Sequence, residues 1–178
     1  MASSLDRLME GNRKFVAGKN TELMAKLAKG QQPYAAVLTC ADSRVSPEII
    51  FGGKGLGEIF VVRNAGNIAD PIALGSIEYA VEHLHAPLVL VLGHESCGAV
   101  AATCAGGHAP SHIAAVVKAI APSAQKAGNN VPKAVEENVR TQVEAVKKSP
   151  IVSHLMHEGK VEVRGAVYSL ATGEVKLI

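Results

Sequence analysis

Two short segments of the sequence carry residue types that bind metal ions. The first, CADSR at 40–44, places the thiol of Cys40 two residues before a carboxyl group and four before a guanidinium group. The second, HESC at 94–97, separates an imidazole from a thiol by two residues, a spacing that lets both bind one ion. Two thiolates and one imidazole are typical zinc ligands. Three protein ligands leave a fourth position open, which is the pattern of a catalytic zinc site.

Each motif has a plainer interpretation when it is taken alone. A cysteine at the end of an apolar strand is usually a small buried side chain, and H-x-x-C by itself is a weak motif. The placement of Cys40, His94 and Cys97 at the ends of two predicted strands strengthens the zinc hypothesis. The third cysteine, Cys104, lies in an alanine-rich helical segment, and we interpret it as a packing residue.

Asp42 and Arg44 add a charged pair beside the predicted zinc site. The plain alternative is a loop salt bridge, worth less than about 1 kcal/mol. The functional hypothesis is that Arg44 keeps Asp42 ionised and fixes its direction. Zinc lowers the pKa of its bound water to about 7, and the carboxylate can then accept a hydrogen bond from this water. Alternatively, the carboxylate can occupy the fourth zinc position itself. The sequence leaves both alternatives open.

Short apolar strands alternating with helices must bring these residues together. Apolar runs rich in strand formers occupy 34–40, 58–66 and 87–94, and helical patterns lie between the second and third and after the third. Such runs predict an α/β fold with a mainly parallel central β-sheet flanked by helices. Parallel strands end at a shared edge, where Cys40 and His94 should meet. The segment 160–178 predicts two further strands joined by a turn, ending in an antiparallel C-terminal edge strand.

Length and composition indicate one domain. The chain has 178 residues, 48% hydrophobic and 19% charged, and we predict a single domain over 1–178 with an N-terminal helical arm at about 1–28. A net charge of +2 and the absence of Trp give little support for nucleic acid or membrane partners. Three cysteines suit metal or catalytic use in a reducing compartment, and the N-terminus lacks the pattern of a signal peptide. This predicts a cytoplasmic protein.

The two motifs resemble the zinc signatures of the β-class carbonic anhydrases, C-x-D-S-R and H-x-x-C-G, in their plant-like subtype. By this resemblance Cys40, His94 and Cys97 bind one zinc ion per subunit, and Asp42 with Arg44 form the catalytic dyad. The resemblance covers nearly the whole chain, through VVRNAGN (61–67), GSIEYAVEHL (75–84), EENVR (136–140) and GAVYSLATG (165–173).

The resemblance implies an enzymatic activity and an assembly. The activity is the reversible hydration of CO2 to bicarbonate and a proton, by attack of a zinc-bound hydroxide. Hydrolysis of carbonyl sulfide or carbon disulfide on the same zinc site is one alternative, and a non-catalytic zinc or thiol sensor is another. The implied assembly is a homodimer or a larger homo-oligomer of dimers, with pocket residues contributed across the interface.

The resemblance also places the substrate contacts. The substrate-binding residues it implies are Gln31 or its neighbour Gln32, the backbone N–H of Gly98, and the pocket residues Phe60, Ala65 and Tyr79. Tyr79 and His83, one helical turn apart, match positions proposed for proton transfer in plant members. The alternative for His83 is an ordinary surface histidine, and the sequence leaves both interpretations open.

Overall fold

The apolar runs of the sequence form the strands of one five-stranded sheet in the computed structural model, which describes residues 3–52 and 55–178. The strand order is β2-β1-β3-β4-β5, with parallel pairing from β2 to β4 and an antiparallel β4–β5 pair. The predicted α/β fold and its antiparallel edge strand are therefore confirmed. The strands are β1 (Ala35–Cys40), β2 (Ile59–Asn64), β3 (Leu88–His94), β4 (Glu162–Tyr168) and β5 (Val175–Leu177).

The chain divides into two units, Met1–Gln31 and Gln32–Ile178. In the first unit, Ser3 begins helix α1 with a capping box, because its hydroxyl accepts the Asp6 N–H at 3.1 Å and its N–H donates to the Asp6 carboxylate at 2.9 Å. The predicted arm at 1–28 includes residues 1 and 2, which lie outside the described residues. The helices of this unit are α1 (Ser4–Gly18) and α2 (Thr21–Leu27).

Three helices of the second unit begin at residues whose side chains cap them, Asp70, Asn130 and Ser149. The carboxylate of Asp70 accepts the N–H of Ala73 at 2.8 Å, and Pro71 takes the first helical position, as the sequence predicts. Among the described residues, no helix is both long and apolar enough to cross a membrane. The helices are α3 (Pro47–Ile50), α4 (Pro71–Glu82), α5 (Gly98–Ala105), α6 (Ile113–Lys126), α7 (Val131–Lys147) and α8 (Pro150–His157).

Both faces of the central strand β1 are covered by apolar side chains. Ala36 and Leu38 belong to a core cluster that contains residues of α4 and α7, whereas Val37 lies in a cluster with Leu90 of β3. This division follows from the alternation of side chains along a strand. Cys40 ends the strand in a third cluster, with residues of α5, α6 and α7. The carboxyl end of β1 is therefore buried.

Helix α7 packs unusually close to the sheet because two strand positions lack side chains. A Cβ atom at Gly93 of β3 would lie 2.5 Å from Val139, and one at Gly165 of β4 would lie 2.9 Å from the same side chain. Only glycine permits this approach without movement of the helix. The middle of α7 is thereby held next to the strand end that carries His94.

Candidate functional site

The ends of two neighbouring strands bring the three candidate zinc ligands together. Cys40 is the last residue of β1 and His94 the last residue of β3, and these strands are paired in parallel. Cys97 caps the N-terminus of α5. The sulfur atoms of the two cysteines lie 3.9 Å apart, and the ligand atoms of all three residues lie within 4.8 Å of one another. All three side chains are buried.

The chemistry of this donor set fits a zinc ion. Nδ1 of His94 lies 2.8 Å from the carbonyl oxygen of Glu95, which can only accept, so Nδ1 carries the proton. This leaves the lone pair on Nε2, a buried atom for which the described residues provide no hydrogen-bond partner. A buried polar atom without a partner is costly, and a metal ion satisfies it. Two sulfurs and this nitrogen are a donor set that could hold a zinc ion.

The surroundings of the two sulfurs favour a thiolate at Cys40. The pKa of Cys40 is lowered because its sulfur is stabilised first by the neighbouring Cys97 thiol, and then by His94 and the Gly66 N–H, which donates to it at 3.4 Å. The pKa of Cys97 is raised, because Cys97 holds the proton between the two sulfurs. Burial opposes the charged form of His94, but the neighbouring Cys40 outweighs it and raises the pKa of this imidazole.

The Asp42 carboxylate is held by Arg44 and directed toward the ligands. Nε of Arg44 donates to Oδ1 at 2.9 Å and Nη2 donates to Oδ2 at 2.7 Å, while the Arg44 backbone N–H donates to Oδ1 at 2.9 Å. These bonds hold the pKa of Asp42 well below its usual range. Oδ2 also lies 3.8 Å from Nε2 of His94. An ionised carboxylate of fixed direction therefore stands beside the candidate metal site.

Arg63 also contributes to this loop, and sequence reasoning missed it. From β2 it donates to the carbonyl oxygens of Cys40 at 3.1 Å and Asp42 at 2.7 Å. The two carbonyls flank Ala41, so the guanidinium sets the path of the chain between ligand and carboxylate. The sequence signal for this role is the position of Arg63, a charged residue within the apolar run of β2.

Gly98 and Ala65 lie next to residues that contact the ligands. Gly98 is the first residue of α5 and directly follows Cys97, so its N–H belongs to the helical turn that lacks intrahelical acceptors. Ala65 directly precedes Gly66 and follows the end of β2. Gly98 therefore adjoins a candidate ligand, and Ala65 adjoins a residue that donates to one; the substrate contacts of both stay predictions.

Phe60, Tyr79 and His83 form an aromatic row away from the ligands of their own chain. The ring centres of Phe60 and Tyr79 are 6.3 Å apart, and those of Tyr79 and His83 are 5.2 Å apart. Phe60 pairs with Ala36, which lies four positions before Cys40 on β1. At 3.3 Å per residue, Ala36 and Cys40 are about 13 Å apart along the strand. The structure thus joins these three residues to one another but not to the metal ligands. Gln31 ends the N-terminal unit, and its substrate contact stays a prediction.

Comparisons with known proteins agree with this geometry. Residues 35–175 match the family described as carbonic anhydrase. Carbonic anhydrase 2 of Mycobacterium tuberculosis is 40% identical over 185 aligned positions, covering 96% of this chain and 89% of that protein. A Coccomyxa β-carbonic anhydrase solved in complex with acetazolamide is 33% identical, with a TM-score of 0.86 and coverage of 99% and 87%. A tetrameric β-carbonic anhydrase from Sordaria macrospora, 24% identical, has a similar fold, with a TM-score of 0.91 over 98% of this chain and 96% of that one.

Proposed function

Because this chain belongs to the β-class of the carbonic anhydrase family, we infer that it catalyses the reversible hydration of CO2 to bicarbonate and a proton. The observation that carries this inference is the convergence of three ligand atoms within 4.8 Å at one edge of the sheet. Cys40, His94 and Cys97 would hold one zinc ion per subunit. When bound, such an ion is a Lewis acid that lowers the pKa of water to about 7 and so supplies a nucleophile at neutral pH.

Asp42 orients the nucleophile for attack on CO2. Arg44 keeps the carboxylate ionised, so Asp42 accepts a hydrogen bond from the O–H of the nucleophile and directs its lone pair toward the carbon of CO2. The pairing of both Asp42 oxygens with Arg44 supports an open fourth position over a carboxylate on the zinc. On this proposal Arg44 is needed to keep the site ready for substrate.

The N–H groups at the start of α5 are suited to an anionic product. Helix N-termini attract negative charge, and the N–H of Gly98 would donate to an oxygen of bicarbonate. The side-chain N–H of Gln31 or Gln32 would donate a further hydrogen bond to the substrate, and Ala65 would line the apolar side. These roles remain proposals that follow the family resemblance.

A second copy of the chain would supply the aromatic part of the pocket. Phe60 lies four strand positions from the level of Cys40 of its own chain, about 13 Å at 3.3 Å per residue. Tyr79 lies beside Phe60 and is 49% exposed, so it can meet another copy. We propose a homodimer, or a larger assembly of dimers, in which Phe60 and Tyr79 of one copy line the site of the other. Tyr79 and His83 would then pass the released proton to buffer.

The N-terminal arm would add a second surface for the same assembly. The apolar side chains of α1 are exposed, and they are Leu5, Leu8, Met9, Phe15 and Val16.

The alternative activities are not favoured. The curated relative at 40% identity is named a carbonic anhydrase, which supports CO2 over carbonyl sulfide or carbon disulfide as substrate. A zinc or thiol sensor gives no reason for the Asp42–Arg44 pair. Rates measured side by side with CO2 and carbonyl sulfide test this choice, and a faster turnover of carbonyl sulfide would reverse it.

We also propose that the protein works in the cytoplasm. Cys40, Cys97 and Cys104 are all free thiols in the structure. Thiolate ligands survive best in a reducing compartment, where disulfides are rare. Fractionation of the native host would test this location, and recovery of the protein outside the cytoplasm would contradict it.

Removal of one zinc ligand tests the proposed function. Cys40→Ala should lose bound zinc and CO2 hydration together, because only two ligands remain; zinc content by atomic emission and hydration by stopped flow measure both. Cys104→Ala is the matched control, since Cys104 packs against the same apolar cluster as Cys40 without joining the ligand set, and it should keep zinc and turnover. Full zinc content and turnover in Cys40→Ala would contradict the assignment.

A further inference from the structure

The loop between β2 and α4 directs a backbone N–H at one of the zinc ligands. The N–H of Gly66 donates to the sulfur of Cys40 at 3.4 Å. Gly66 has a φ of +80°, and a Cβ atom at this position would lie 2.6 Å from the Ile120 side chain. Glycine is therefore required for both conformation and space. Hydrogen bonds from the surroundings to a metal ligand tune its affinity for the metal.

Two buried amides of α7 hold the same loop from its other side. Nδ2 of Asn138 donates to the carbonyl oxygen of Gly66 at 2.9 Å. Oε1 of Gln142 accepts the N–H of Ala69 at 2.9 Å, and Nε2 of Gln142 donates to Oδ1 of Asn138 at 3.2 Å. Asn138 is 1% exposed and Gln142 is 5% exposed. Buried amides are costly unless their hydrogen bonds are made, so this arrangement has a definite energetic role.

Gly66 connects the amides to the sulfur. The N–H that contacts Cys40 and the carbonyl that accepts from Asn138 belong to this one residue, so the amide restricts the rotation that would move the N–H away. The rest of the loop is also pinned, because Asn64 exchanges two side-chain hydrogen bonds with the backbone of Ile68, both of 2.7 Å. The path from α7 to the ligand is thus continuous and short.

We propose that Asn138 and Gln142 are positioning residues of the metal site: through Gly66 they hold an N–H against the Cys40 thiolate and so strengthen zinc retention. This inference rests on the proposed zinc site and assigns a role to the EENVR segment at 136–140, whose function is otherwise unexplained. The proposed role differs from a purely structural one, because loss of the Asn138 amide should then change the metal–sulfur bond.

Asn138→Leu tests the proposal, because leucine has a similar size and cannot donate to Gly66. The zinc dissociation constant, measured by competition with a chromophoric chelator, should rise about tenfold or more. In the cobalt-substituted protein, the sulfur-to-cobalt charge-transfer band should move to lower energy, because the sulfur has lost a hydrogen bond. Gln142→Leu should move the band in the same direction by a smaller amount, and it carries the test if Asn138→Leu does not fold.

Val146→Ala is the control for a general loss of stability. Val146 is fully buried on the same helix, eight residues beyond Asn138, and its side chain has no polar group to bond the loop. The variant should leave the band and the zinc dissociation constant unchanged. The proposal is overturned if Asn138→Leu matches the wild-type chain in both measurements, or if Val146→Ala changes both equally. Failure of the wild-type chain to bind zinc would instead refute the proposed function.

Discussion

Asp42 is the residue whose chemistry depends most on its partner. A carboxylate beside two cysteines and a histidine could bind the metal, but Arg44 contacts both of its oxygens, at 2.7 and 2.9 Å. A bidentate guanidinium–carboxylate pair is directional as well as strong. The carboxylate therefore remains ionised, and under the proposed function it orients the nucleophile instead of binding the metal.

Asp42→Asn should separate catalysis from zinc binding. The amide keeps the size of the side chain but loses its charge and one acceptor, so kcat/KM for CO2 hydration should fall by about a hundredfold. Zinc content should stay at the wild-type level, because the three ligands are unchanged. Stopped-flow hydration and metal analysis measure the two quantities.

Glu144→Gln is the matched control, because it also replaces one carboxylate by an amide, at an exposed position of α7 whose partner is Lys147. It should keep full activity. Loss of zinc in Asp42→Asn would show that Asp42 contributes to metal retention, against the role assigned to it.

Helix α7 links the core to the candidate metal site. Its apolar side packs on β3 and β4 over Gly93 and Gly165, and this close contact sets how far Asn138 reaches toward Gly66. A helix placed even one methyl group further from the sheet would not make the same hydrogen bonds. Two glycines thus determine a distance that the buried amides use.

Gly165→Ala should reduce stability by about 1–3 kcal/mol, because the added methyl group overpacks the interface with Val139 and Val143. The free energy of unfolding from urea titration measures this loss. Adding Val139→Ala should recover part of it by making space, so the two changes should be non-additive. Gly11→Ala, where a Cβ atom would meet nothing within 4 Å, is the control and should not destabilise the protein. A Gly165→Ala variant as stable as wild type would contradict the close packing.

One exposed apolar face of the molecule is consistent with assembly. Ile72 is 81% exposed and Tyr79 is 49% exposed, and the two lie seven residues apart on α4, so they share a side of the helix. Ile72 and Phe60 line the same groove beside the edge strand β2. Side chains of this kind are rarely left uncovered together on a monomer.

Ile72→Arg should convert the assembly to monomers, because it places a charge in the proposed interface. Sedimentation velocity should show the shift, and CO2 hydration should fall with it, since Phe60 and Tyr79 would no longer reach a second site. Zinc should remain bound. Ile113→Arg on α6 is the control, as Ile113 is also exposed, at 57%, and lies outside this face. A monomeric Ile72→Arg variant with full activity would contradict the shared pocket.

The residue types and their spacing are sufficient to predict the strands, the sheet class and the convergence of Cys40, His94 and Cys97. Cys40 and His94 each end an apolar run, and parallel strands necessarily end at one edge, so their meeting follows from the pattern alone. The adjacency of Cys97 to His94 is local along the chain. Asp42 and Arg44 are only two residues apart, which makes their pairing predictable but not the choice of both carboxylate oxygens.

The contacts that hold the loops of the candidate site depend on the tertiary structure. Asn138 and Gly66 are 72 residues apart, and their hydrogen bond depends on a helix that two glycines allow close to the sheet. The distance of Phe60 from Cys40 depends on strand register, and the Arg63 bonds depend on the path of a loop. The sequence alone therefore predicts which groups meet at the sheet edge, because local pattern specifies strand ends. Packing between distant segments decided how these groups are held.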